Sequence, residues 1–543
     1  MKVLIIGGVA AGTKAAAKIL REDRSCEVTI LTKSKDISYA GCGLPYYVGG
    51  MIETREELVV NTPESFSLQT GAEVLTETEV TSVDPQSKTV KAVHDGETAS
   101  YAYDKLIIAS GASAVCPKID GLDLENVFFM RTPDDAVALR QAIQEKNICR
   151  AVVAGGGFIG LEVAENLAKQ GVRVNVIDFA PHVLPNFLDP ELCGYVEDKM
   201  ADEGINPMTN ASLEAILGKG KVEKVKTSRR AVKADAVVLA IGVRPNTAFL
   251  EGSGIEMFKG TILTDSHLRT NVEDIYAVGD CAMVTNRETG EKTWSPMGST
   301  ANIAARVLAQ NVCGADETYE GVLGTGVAKL PGGINVGRTG LTETAAKAAG
   351  YDVVSALSVV DDKAHYYPGA GSFIIKMTAD RSTGKFLGIQ VLGSGAVDKV
   401  TDIAVTAISL GATVDALKNL DFAYAPPFST AIHPFAHALN ILLNKMDGTF
   451  ETMTPVEFDE GAAEEYRIVD CAVQPSIPGA PYLDLTKIDG EVPGFGKEEK
   501  LLLVCAKGKR AYMVQNRLKY YGYTNTKVLE GGTTFHPIEL EEE

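Results

Sequence analysis

Cys42 is the residue whose setting most directly suggests chemistry. It lies in I-S-Y-A-G-C-G-L-P-Y-Y (Ile37–Tyr47), with no second cysteine within five residues. Pro45 suits the first turn of a helix, where its missing N–H is no loss, and Gly49-Gly50 suits its end. A thiol just ahead of a helix N-terminus is placed to favour its thiolate. Lacking a neighbouring cysteine, this sulfur must exchange with something brought from outside. A charged setting surrounds Cys505, in C-A-K-G-K-R (Cys505–Arg510) after a strand Lys500–Val504. Lys507, Lys509 and Arg510 put positive charge around a sulfur between a strand and a helix N-terminus, a field that favours a thiolate or persulfide. The plainer reading of Cys42 alone is a free cysteine in a turn; the elements around it decide.

Two stretches could carry electrons to Cys42. Lys2–Ile6 reads as a buried parallel strand, followed by G-G-V-A-A-G (Gly7, Gly8, Val9, Ala10, Ala11, Gly12), an alanine-rich helix Thr13–Arg21 and a second strand Glu27–Leu31. Such a β-loop-α-β unit holds a pyrophosphate on backbone N–H groups at a helix N-terminus. Val9 stands where the middle glycine belongs, and the second strand ends in Thr32-Lys33, not in the usual ribose-binding acid. The second copy is cleaner: strand Ala151–Ala154, then G-G-G-F-I-G-L-E, with Gly155, Gly157 and Gly160 in the three glycine positions and Phe158, Ile159 and Glu162 opening the helix. The next strand, Val172–Ile177, ends in Asp178, whose carboxylate accepts from an adenine ribose and repels a 2′-phosphate. NADH is therefore expected over NADPH.

Two dinucleotide units imply one bound flavin and one nicotinamide. Lys105–Gly111 (with Ala109, Ser110 and Gly111) and Ala236–Pro245 (with Gly242) are buried strands ending in glycine turns, fitting crossovers between two interleaved domains. Asp274–Asp280 is a strand ending in Gly279-Asp280, where Asp280 can bind a ribityl hydroxyl of the flavin.

With 543 residues, three or four domains are expected. A net charge of -19 argues against nucleic acid or an anionic membrane as partner. Nine scattered cysteines without C-x-x-C suggest reduced thiols in a cytoplasm and no zinc site or other metal. No apolar run is long enough for a membrane span.

The chain resembles the flavoprotein pyridine nucleotide–disulfide oxidoreductases, and within them the single-cysteine branch of coenzyme A-disulfide reductase, NADH oxidases and persulfide reductases. The resemblance rests on the stretches above together with A-I-G-V-R-P-N, Y-Y-P-G-A (366–370) and A-Y-A-P-P-F (423–428). It implies an α/β chain: two interleaved Rossmann-like domains (FAD, 1–113 and 246–323; NAD, 114–245), an α+β dimerisation domain (324–445), a linker (446–461) and a small C-terminal α/β rhodanese-like domain (462–543). It further implies a homodimer with Tyr366 and Tyr424 beside the partner's cysteine, Ala301 at the flavin, and Cys505 and Arg510 as the tail's reactive loop. The front half of the tail, D-C-A-V-Q-P (470–475), lacks the expected acidic helix and histidine, so a degenerate partner-binding domain is the rival there.

The implied reaction takes hydride from NADH to flavin and two electrons on to a disulfide or persulfide at Cys42. Coenzyme A leads as the small thiol, with Lys18, Arg21, Ser38 and Gly41 as the residues meeting it. Several positions depart from the pattern: Gly41 replaces an asparagine, S-L-Q-T-G after Phe66 carries no basic residue, and Ile432-His433 replaces Lys-Asp. Two other functions fit the same motifs. One is an NADH oxidase cycling Cys42 through a sulfenic acid; the other is a flavin-based redox sensor or sulfur carrier.

Overall fold

The computed structural model describes residues 1–145 and 148–540. The chain divides into two compact units, Met1–Val183 with Met200–Val322, and Leu184–Lys199 with Leu323–Glu543.

The first unit contains two five-stranded parallel sheets. In one, Lys2–Ile6 lies between Glu27–Leu31 and Lys105–Ile108, with Glu73–Leu75 and Ile275–Ala277 at the edges. In the other, Arg150–Ala154 lies between Arg173–Ile177 and Ala236–Leu239, with Asn206–Met208 and Val127–Phe129 outside. The central strands are buried on both faces, which is why they read as continuous apolar runs. In each sheet the chain leaves the central strand in one direction and returns on the other side. The C-terminal end of that strand is thus the crevice where parallel sheets bind ligands.

The second unit holds a five-stranded antiparallel sheet in the order Gly326–Leu330, Ile334–Gly340, Phe386–Gly393, Ser372–Asp380, Val353–Asp361. Helices Val397–Ser409 and Pro434–Met446 share one core with it, built on Phe386, Phe435, Leu439 and Leu442. A separate parallel sheet closes the tail, in the order Thr452–Met453, Thr526–Leu529, Leu501–Val504, Arg467–Asp470.

Two sequence expectations differ from this arrangement. Residues 446–461, read as a linker because they are polar and acidic, are ordered parts of the tail. Thr452–Met453 is an edge strand of its sheet, Met453 is fully buried, and Pro455–Asp459 is a helix opened by a Thr454–Glu457 capping box. A two-residue strand carries no periodic signal. The segment Leu184–Lys199, read as part of the second nucleotide unit, groups with the antiparallel sheet. Its Asp189 and Glu191 pair with Lys376 of that sheet, and Asp189 also accepts from Gln390 Nε2 at 2.7 Å.

Candidate active site

The Cys42 loop is held from both nucleotide units. Ser38 N–H donates to the Gly8 carbonyl at 2.9 Å, which fastens the loop to the first glycine turn. Ser38 adopts φ +49°, a left-handed conformation that non-glycine residues keep only when their surroundings impose it. Gly41–Gly43 then forms one 3-10 turn and Leu44–Val48 a five-residue helix. Tyr46 O–H donates to Glu162 Oε1 at 3.0 Å, so this helix is tied to the helix of the second glycine loop. The approach is close: a Cβ on Gly49 would lie 2.0 Å from Asn166 Oδ1. Gln170 Nε2 adds a bond to the Gly49 carbonyl at 2.7 Å.

Cys42 is exposed, yet its sulfur is not in a thiolate-favouring field. Partial burial pushes the thiol upward, Glu162 and Asp280 push it further, and Arg131 opposes them. This corrects the expectation that a helix terminus sets the thiol's acidity. Five residues make too short a helix for a strong terminal charge, and burial, followed by the nearby carboxylates, decides instead. Glu162 is itself unusual. Burial raises its carboxyl to about 7, although the Tyr46 hydroxyl stabilises the anion. We therefore expect E162Q to lower the Cys42 pKa. At pH 8, where native Glu162 is ionised, iodoacetamide should label reduced E162Q a few-fold faster, about three- to tenfold. Below pH 6 Glu162 is protonated and the two rates should converge; an equal difference at both pH values would contradict this.

Arg131 has no counterpart among the residues picked from the sequence. Its Nη2 lies 2.7 Å from Asp280 Oδ2 and its Nε donates to the Ala112 carbonyl at 2.9 Å. Asp280, expected to meet a ribityl hydroxyl, thus has one oxygen on Arg131, while Trp294 Nε1 donates to its carbonyl at 2.9 Å.

Both glycine loops fit a pyrophosphate. Gly7 has φ +110° and a Cβ there would lie 2.1 Å from the Ala109 carbonyl oxygen; one on Gly12 would lie 1.9 Å from the Gly7 carbonyl oxygen. The second loop repeats the geometry, with Gly155 at φ +111°, 2.2 Å from the Ala240 oxygen, and Gly160 1.9 Å from the Gly155 oxygen. Helices Ala10–Glu22 and Phe158–Lys169 begin at Val9 and Gly157 with no side-chain cap, so their first-turn N–H groups are available to a phosphate. Val9, at φ -106°, fits where a glycine is usual.

Around the first loop, Gly279 has φ +82°, and a Cβ there would lie 3.1 Å from the Ala11 methyl and 4.0 Å from that of Ala301. Ser110 Oγ donates to the Asn246 carbonyl at 2.6 Å, and Asn246 N–H donates to the Gly111 carbonyl at 3.0 Å, so the crossover strands interlock. Thr32 is buried against Gly8. Gly242 takes φ +109° in an open turn. Asp178 spends its carboxylate partly on the loop itself, with Oδ2 accepting from Gly156 N–H at 2.7 Å and Oδ1 from Ala180 N–H at 2.8 Å.

Two of the basic residues expected to meet substrate or cofactor are engaged otherwise. Lys18 pairs with Glu22 on its own helix, and Lys33 pairs with Glu79 at 2.8 Å. Arg21 is exposed. A Cβ on Gly41 would meet nothing within 4 Å, so the asparagine absent here would have had room.

In the second unit, Tyr366 and Tyr424, 58 residues apart, bring their hydroxyls within 3.5 Å of each other. Both rings are exposed, at 67% and 49%. Cys505 is buried, with Sγ accepting from Ala511 N–H at 3.4 Å. Its cationic neighbours are partly neutralised, a correction to the open positive field read from the sequence. Lys507 Nζ bonds Asp361 at 2.5 Å and Ser372 Oγ at 2.7 Å, and Arg510 Nη2 bonds Asp484 at 2.9 Å. His433, where a Lys-Asp pair was expected, caps helix Pro434–Met446 through Nδ1.

Among the described residues no helix is long and apolar enough to cross a membrane. The family model described as pyridine nucleotide-disulphide oxidoreductase matches residues 1–303, and that of its dimerisation domain matches residues 332–436. An NADH oxidase of Methanocaldococcus jannaschii is 36% identical over 82% of this chain and 99% of its own. An NAD(P)H coenzyme A polysulfide/persulfide reductase of Pyrococcus horikoshii is 35% identical over 81% of this chain and 98% of its own. The solved structure of an NAD-dependent persulfide reductase from A. fulgidus superposes with a TM-score of 0.93 at 34% identity, covering 99% of this chain and 100% of that one. With both glycine cradles and the cysteine loop between them, the chain belongs to the pyridine nucleotide-disulphide oxidoreductases and is an NAD(P)H-dependent flavoprotein disulfide reductase.

Proposed function

We propose that this protein is an NADH-dependent reductase of a small-molecule disulfide or persulfide, with coenzyme A as the leading thiol, working through Cys42. The observation that carries the proposal is the double anchorage of the cysteine loop, by Ser38 on the first glycine turn and by Tyr46 on Glu162 of the second nucleotide unit. Gly7–Gly12, Ala109–Gly111, Gly279, Asp280 and Ala301 would hold FAD, and Gly155–Gly160, Gly242 and Asp178 would hold NADH. A flavin bound there supplies two-electron transfer between a reduced nicotinamide and a disulfide.

Cys42 is the thiol that forms a mixed disulfide or persulfide with substrate. Its raised pKa keeps it protonated near neutral pH until a neighbour takes the proton, and Glu162, titrating near 7, is within electrostatic reach to respond. Asp178 favours NADH because a 2′-phosphate would meet a carboxylate already fixed by Gly156 and Ala180. The chain acts as a homodimer, in which the Tyr366–Tyr424 pair of one protomer serves the cysteine of its partner, donating a proton to a departing thiolate. The tail from Thr452 onward is a rhodanese-like domain that handles sulfane sulfur at Cys505, with Arg510 beside it. Scattered free cysteines fit a reducing cytoplasm.

The M. jannaschii relative favours a second reading, reduction of oxygen. One assay separates them. NADH consumption by the FAD-loaded protein is followed anaerobically with coenzyme A disulfide or coenzyme A persulfide, and in air without either. We expect turnover with a sulfur acceptor to exceed that with oxygen by at least about tenfold, and NADPH to be the poorer donor. Faster turnover with oxygen alone would overturn the reductase reading.

A further inference from the structure

The tail contains a second thiol beside Cys505. Strands Arg467–Asp470 and Leu501–Val504 run parallel in one-to-one register and end with Asp470 opposite Val504. The next residues on the two strands are Cys471 and Cys505. The ladder reaches this pair, because Cys471 N–H donates to the Val504 carbonyl at 2.7 Å. Both side chains fall on the face formed by Val469, Leu501 and Leu503, while Ile468, Leu502 and Val504 line the opposite face. Neighbouring parallel strands lie about 4.8 Å apart. A disulfide spans Cα separations of about 4.4–6.8 Å.

The two sulfurs are not equivalent. Cys505 Sγ accepts the Ala511 N–H in the first turn of helix Lys509–Tyr520. Cys471 donates its S–H to the Val469 carbonyl at 3.6 Å. Cys505 is 4% exposed and Cys471 0%, so a sulfur donor arriving from solvent meets Cys505 first. Burial first, then Cys505 and Asp470, push the Cys471 thiol upward, with Arg510 and the Val504 contact opposing. Asp470 faces away into the turn, accepting from the N–H groups of Ala472, Ser476 and Ile477.

We propose that Cys471 is a resolving thiol for a persulfide carried on Cys505. The inference rests on the reading that the tail handles sulfane sulfur. The Cys505 thiolate takes the outer sulfur of a donor persulfide R–S–SH, releasing R–S⁻ and becoming Cys505–S–SH. Cys471–SH then attacks the inner sulfur of that persulfide. A Cys471–S–S–Cys505 bond forms, the inner–outer sulfur bond breaks, and the outer sulfur leaves as H₂S with the Cys471 proton. The two cysteine sulfurs are oxidised and the sulfane sulfur takes both electrons. Because Cys471 stays protonated, this step is slow. It clears only a persulfide that nothing else consumes, and an external dithiol restores both thiols.

The test uses the full FAD-loaded chain, reduced, treated anaerobically with cysteine persulfide without NADH, then desalted. Sulfide release and the tryptic peptides 468–487 and 501–507 are followed with time. We expect a 32-Da gain on peptide 501–507 to decay into a disulfide-linked pair of the two peptides, with one sulfide released per linked pair. In Cys471→Ala, and equally in Cys471→Ser, the 32-Da gain should form at the same rate and persist. Loading that also persists in the native chain, with no linked peptides, overturns the resolving thiol and leaves the tail's sulfur chemistry standing. No loading of Cys505 in any chain overturns both.

Discussion

Replacing Cys42 by serine is expected to lower NADH-dependent disulfide and persulfide reduction by at least ~10³-fold, because a hydroxyl forms no exchangeable bond to sulfur. The loss should be selective. Cys42 is exposed and belongs to no buried core, so C42S should fold with an unchanged melting temperature. Both glycine loops are intact in C42S, so NADH-driven reduction of ferricyanide should persist within about twofold. This contrast distinguishes a lost electron acceptor from a damaged site. If C42S lost ferricyanide reduction as well, the cysteine would be acting on the fold or the cradles. If C42S retained disulfide reduction, another thiol would be carrying the chemistry.

The second large effect concerns stability. Lys376 is 5% exposed, and its ammonium faces Asp189 at 3.1 Å, Glu343 at 2.7 Å and also Glu191. Burial alone would raise the carboxyls. The Lys376 charge and the hydrogen bonds around them win instead, holding Asp189 and Glu343 each at about 2. K376M leaves three carboxylates facing one another without their cation, and removing one member of a buried charged group destabilises by about 3–5 kcal/mol. Both folded-state carboxyl pKa values lie below the unfolded ones, so the native stabilisation is present above about pH 4–5 and is lost as pH falls toward 2. In K376M the carboxylates repel when ionised, so the difference in urea midpoint between native and variant should be largest at pH 7 and smaller at pH 4.5. A variant as stable as the native chain at pH 7 would contradict this account of the cluster. The consequence for the fold is local: Asp189 and Glu191 help fasten the segment Leu184–Lys199 to the antiparallel sheet, beside the Arg338 bond to the Asn186 carbonyl at 3.0 Å.

The parts legible in the sequence were those written in local order. Each glycine loop sits between a strand and a helix contiguous with it, and the apolar runs Val3–Ile6 and Ala151–Ala154 are buried for the reason that made them apolar. Thr32 and Val9, which broke the pattern, still fit the first cradle. What stayed hidden depends on contacts distant in sequence. Arg131 meets residues 19 and 149 positions away, and Tyr46 meets Glu162 from 116 positions away. No spacing rule links them. The acidity of Cys42 is hidden for the same reason, since both the burial of its sulfur and the approach of Glu162 and Asp280 are made by the fold. Lys507 and Arg510 looked like free cations because Asp361 and Asp484 are remote in the chain. The Lys376 cluster gave no signal either, since Asp189, Glu191 and Glu343 are ordinary acids until the sheet collects them.

The central claim is that Cys42 is the thiol that gains and loses the electron pair. The most direct measurement is intact-protein and peptide mass spectrometry of the FAD-loaded chain after exposure to coenzyme A disulfide, before and after one equivalent of NADH under nitrogen. The account predicts a mixed disulfide with coenzyme A on the peptide bearing Cys42, removed by NADH with release of one thiol per chain. An adduct that NADH leaves in place, or one that NADH removes from a cysteine other than Cys42, would contradict it.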